Sequence, residues 1–131
     1  MPSRWQDWWR QAEPDLAHAE QDARAGFFEH TCFGAEQTVK TALRALIMRR
    51  GGEPRALSLL RLLDSLRTQA DVPDGLDDKA REVGKLHIPA GYPNGFSAGA
   101  PMDYHTETSA REALQHAGDL LDYCRSQIPE S

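Results

Sequence analysis

The sequence predicts an all-α protein, an up-and-down helical bundle of about five helices. Three observations carry that prediction. Apolar residues recur at the ~3.6-residue helical period in five separate segments, and no segment alternates apolar and polar residues as a half-buried strand would. Glycine and proline collect between those segments, where they punctuate the chain. At 131 residues the chain is the size of one domain, expected over 1–131, that buries a core without cross-links.

The first helix is expected from about Arg4 to Ala25, with Trp5, Trp8, Trp9, Ala12, Leu16, Ala19 and Ala23 on one stripe. Pro14 falls on the opposite face, where it bends the helix toward solvent, and Gly26 ends it. A second helix, about Phe27 to Arg50, aligns Phe28, Cys32, Ala35, Val39, Ala42, Leu43 and Leu46. Gly51 and Gly52 stop it, with Arg49 and Arg50 at the negative end of its dipole. The third, about Arg55 to Gln69, carries leucines over so wide an arc that it belongs deep between neighbours.

A fourth helix begins near Pro73–Asp74 and stripes Leu76, Ala80, Val83 and His87. The fifth aligns Ala110, Ala113, Leu114, Ala117, Leu121, Cys124 and Ile128. Its expected capping box is Ser109 with Glu112, with Thr106 and Thr108 as competing starts. Between these two helices, about 89–105, prolines alternate with glycines in a connection longer than compact domains usually hold, the mark of a functional, interface or mobile loop.

Composition narrows the function. The hydrophobic fraction of 40% fits an ordinary globule, and no apolar run approaches the ~18 residues of a membrane span. The N-terminal MPSRWQDWW lacks a signal-peptide apolar segment, so a cytoplasmic protein is expected. Cys32 and Cys124 fall on apolar helix positions and read as buried, reduced thiols; no Cys/His spacing resembles a zinc site, and no metal or cofactor is expected. The net charge of −5, from 15 basic and 20 acidic residues, disfavours a broad phosphate-neutralising surface. Arg44, Arg49, Arg50, Arg55 and Arg61 leave room for a local basic patch, although a solvated helix face explains them more simply.

Five segments together resemble one known family. DWWRQAEPDLAHAE and CFGAEQTVKTALRAL resemble the first two helices of prokaryotic HEPN-domain proteins (higher eukaryotes and prokaryotes nucleotide-binding), the latter being similar to a C-F-A-x-Q-A-x-E-x-A-L-K-A-L pattern. LSLLRLLDSL, HIPAGYPNG and YHTETSAREALQHAGDLL extend the likeness over nearly the whole chain. The resemblance implies a bundle that forms a homodimer with a polar groove near the two-fold axis. It also implies association with nucleotidyltransferase-type partners in toxin–antitoxin or stress-defence pairs.

In RNA-cutting members, an arginine and a histidine four to six residues apart form a metal-independent catalytic pair. The arginine belongs to an I-P-T-R-Y-P segment. LHIPAGYPNGF resembles that segment, but Gly91 stands at the arginine and Phe96 where the histidine is expected. The resemblance therefore implies a scaffold whose usual RNase chemistry is lost.

Three other Arg/His windows satisfy the spacing: Arg24–His30, Arg81–His87 and Arg111–His116. The first straddles a helix break, and the third points its members roughly 140° apart on a helix where the family has no catalytic pair. Arg81 and His87 are the candidate catalytic residues, just before the motif position, although roughly 240° of rotation separates them and His87 lies on an apolar stripe. This alternative is a relocated RNase site; a third is a purely structural interaction module.

Tyr92, Asn94, Tyr104 and His105 are candidates to gather around a nucleotide or RNA phosphate through the long loop. Trp5, Trp8 and Trp9 read as core or dimer contacts before a base-stacking platform. Glu36, Gln37 and Lys40 read equally as a polar groove lining or as exposed helix residues.

Overall fold

The computed structural model describes residues 4–56, 58–86 and 98–129. Among the described residues six helices form a bundle and no strand occurs: α1 (Trp5–Arg24), α2 (Phe28–Arg49), α3 (Leu59–Arg67), α4 (Leu76–Gly84), α5 (Pro101–Tyr104) and α6 (Glu107–Ser126). None of these helices is long and apolar enough to cross a membrane.

The bundle is organised around α2, which touches each of the other five helices. Its sequence explains why. Cys32, Ala35, Val39, Ala42, Leu43, Ala45, Leu46 and Ile47 are all buried, covering more of the circumference than one amphipathic stripe would. α1 crosses it closely at Gly34, where an added Cβ would lie 3.1 Å from the Cβ of Ala19. That approach depends on two small residues facing each other.

Of the indoles of α1, which the sequence reads as core or dimer contacts, Trp9 packs partly buried against the core. Only Ala12 and Ala19 of this helix are buried, Trp8 is exposed, and Trp5 and Trp9 sit half-buried at the margin. A crossing built on alanine and glycine has no room for an indole, so the rings lie at its edge beneath arginines. Arg49 stands 5.4 Å over Trp5 and Arg125 5.9 Å over Trp9. Pro14 is exposed, as its position on the helix predicts.

α3 is shorter than the expected 55–69. Ser58 takes the N-cap, its hydroxyl accepting from the Arg61 amide at 3.2 Å, and this fixes the start at Leu59. Leu59, Leu62, Leu63 and Leu66 are buried beneath it. α4 buries Leu76, Ala80 and Val83 on the expected stripe and ends at Gly84; His87 lies outside the described residues.

The described part of the long connection is not open chain. Gly99, at a φ of +80° that favours glycine, leads into the single turn of α5, whose Asp103 carboxylate accepts from the Ala100 amide at 2.8 Å. α6 starts one turn earlier than the expected capping box. Thr106 caps it, accepting from the Ser109 amide at 3.1 Å while the Ser109 hydroxyl faces back to the Thr106 amide at 3.3 Å. With Ser109 occupied as the third residue of that box, Glu112 is released for another role.

Arg50 ties three helix ends together: its guanidinium donates to the Gln69 carbonyl at 2.9 Å and to Gln127 Oε1 at 3.1 Å. The Tyr123 hydroxyl adds a bond to the Asp71 carbonyl at 2.9 Å.

Two glycines give opposite expectations. Gly34→Val forces extra volume into the α1–α2 crossing, at ~1–3 kcal/mol, and lowers the thermal midpoint by several degrees. Gly118→Ala, with nothing within 4 Å of the added Cβ in the middle of α6, raises it through a helix propensity gain of ~0.5–1 kcal/mol. Calorimetry of the two variants checks both signs.

Candidate functional site

Four residues of α6, Ser109, Glu112, Ala113 and His116, fall on one face at helical spacing and form one side of a cleft of about 240 Å³. Glu82, Val83 and Leu86, from α4 and the turn after it, form another side. Tyr104 and His105, at the end of α5, complete the lining. Core packing by Val83 and Ala113 sets the floor, because both are buried in the main hydrophobic cluster.

The electrostatics of this cleft are acidic. The Lys85 ammonium, 2.9 Å from Glu82, holds that carboxyl below its usual range, with His116 and Arg81 acting in the same direction. Burial pushes the His105 imidazole below the ordinary histidine value, partly opposed by the Glu29 carboxylate. His116 keeps a buried Nδ1 without a hydrogen-bond partner among the described residues. The Tyr104 hydroxyl donates to the carbonyl of Ala98, which fixes the ring at the edge of the cleft.

Of the sequence candidates, Tyr104 and His105 are brought together here, whereas Tyr92, Asn94, Gly91 and Phe96 lie outside the described residues. Arg81 is not in the cleft. It is solvent-exposed and paired with Asp78 at 2.9 Å, and its proposed companion His87 lies outside the described residues. Arg111 is likewise drawn away from His116 by Glu107, at 2.9 Å. Arg24 and His30 are both exposed.

Four of the five arginines between 44 and 61 are engaged within the chain, and Arg61 is exposed. Arg49 covers Trp5, Arg50 binds the ends of α3 and α6, Arg55 pairs with Glu53, and Arg44 reaches the Ala56 carbonyl at 3.4 Å.

Glu36 and Lys40 correct the sequence reading most sharply. They are not exposed: Glu36 is 1% and Lys40 7% accessible, and their charges pair at 2.9 Å inside the bundle. Gln37 donates to the same carboxylate at 2.7 Å. A Glu–Lys spacing of four on a helix was the available signal, but exposed pairs share it. Cys32 and Cys124 are free and buried, their thiols pushed up to about 11 and about 12 by desolvation, which keeps them protonated and unreactive at neutral pH. No group of three or more His, Cys, Asp or Glu among the described residues is arranged to hold a metal ion.

The depressed His105 value has a definite consequence for stability. Above the unfolded-state histidine pKa both states are neutral there and His105 contributes no pH dependence. As pH falls through that value the unfolded chain binds a proton that the folded one resists, so stability declines until the pH drops below the folded value. Urea midpoints measured across this window are expected to fall toward acid in the wild type and to fall less in His105→Gln.

The bundle is shared with solved structures. TT1696 from Thermus thermophilus superposes with a TM-score of 0.92 at 33% identity, over 97% of this chain and 100% of that one. ST0689, an archaeal HEPN homologue, gives 0.82 at 31% identity, over 98% and 100%. A HEPN domain protein from Thermotoga maritima gives 0.75 at 25% identity, over 92% and 95%. No curated protein matches the chain. The HEPN domain profile matches residues 5–127, which is nearly every residue of the bundle, and the chain belongs to the HEPN-domain family.

Proposed function

We propose that this chain is a homodimeric, cytoplasmic HEPN protein that acts by binding and not by cutting RNA, in a toxin–antitoxin or stress-defence pairing with a nucleotidyltransferase-type protein. One observation carries the reading: Gly91 and Phe96 occupy the positions where the arginine and histidine of the cutting members are expected. A hydrogen atom and a phenyl ring neither clamp a phosphate nor transfer a proton. The relocated pair gains no support from Arg81, which is engaged with Asp78 in solvent. The net charge of −5 and the carboxylates of the α4–α6 cleft favour a protein over a polyanion as the bound partner.

A second reading, a nucleotide or RNA ligand held by Tyr92, Asn94, Tyr104 and His105, is favoured by one fact. Tyr104 and His105 line the same cleft, and an exposed tyrosine ring is a surface on which a base stacks.

Incubating the purified protein with an oligoribonucleotide in the presence of a chelator tests the principal reading. The RNA is expected to remain intact. Cleavage that disappears in His87→Ala overturns the proposal in favour of a relocated catalytic pair.

A further inference from the structure

We draw no further inference here: the strongest candidate, the groove between α1 and α2 lined by Asp15, His18, Asp22, His30 and Gln37, is a cluster of carboxylates and exposed imidazoles, and nothing among the described residues shows what it would hold.

Discussion

A buried charge pair on the central helix is the constraint that the bundle has to satisfy. Glu36 and Lys40 are four residues apart on α2, the helix that all the others touch. Taking both charges out of water is expensive, and the attraction between them offsets that expense only while their geometry is kept. Gln37, on the same helix, adds a second donor to the carboxylate and helps compensate its buried charge. The small residues of the same helix, Gly34 above all, then decide how closely α1 lies against it.

With α2 fixed, the placement of the cleft follows. α6 packs on α2 through its alanine face, and α4 packs on α6 through Ala80 and Val83. The next stripe of α6, Ser109–Glu112–His116, is left facing the gap between α6 and α4. The cleft is lined by Glu82 and Glu112 and by no lysine or arginine among the described residues, while Arg49, Arg50 and Arg125 lie on indole faces and helix ends.

The helices were legible in the sequence because apolar periodicity and glycine stops are local signals. The α1, α2 and α6 boundaries fall within a few residues of those read from the pattern. The α3 start was displaced because Ser58, one hydroxyl, outweighed a continuing leucine pattern, and α5 was hidden in a stretch whose prolines and glycines read as loop. Burial of Glu36 and Lys40 was not legible, since spacing alone does not distinguish an interior ion pair from a surface one. The tryptophans read as core or dimer contacts, and of them Trp9 packs partly buried against the core while Trp8 is exposed. Tyr104 and His105 stand out by their place in the long connection, whereas Glu82, Glu112 and His116 become neighbours only when α4 and α6 pack.

The most direct test of this account is urea unfolding of Lys40→Met, alone and combined with Glu36→Leu. The single change strands a buried carboxylate and is expected to cost ~3–5 kcal/mol, while the double replacement, apolar on both sides, recovers most of the loss. A Lys40→Met protein as stable as the wild type would contradict the account, because the buried Glu36 carboxylate would then not need its partner for compensation.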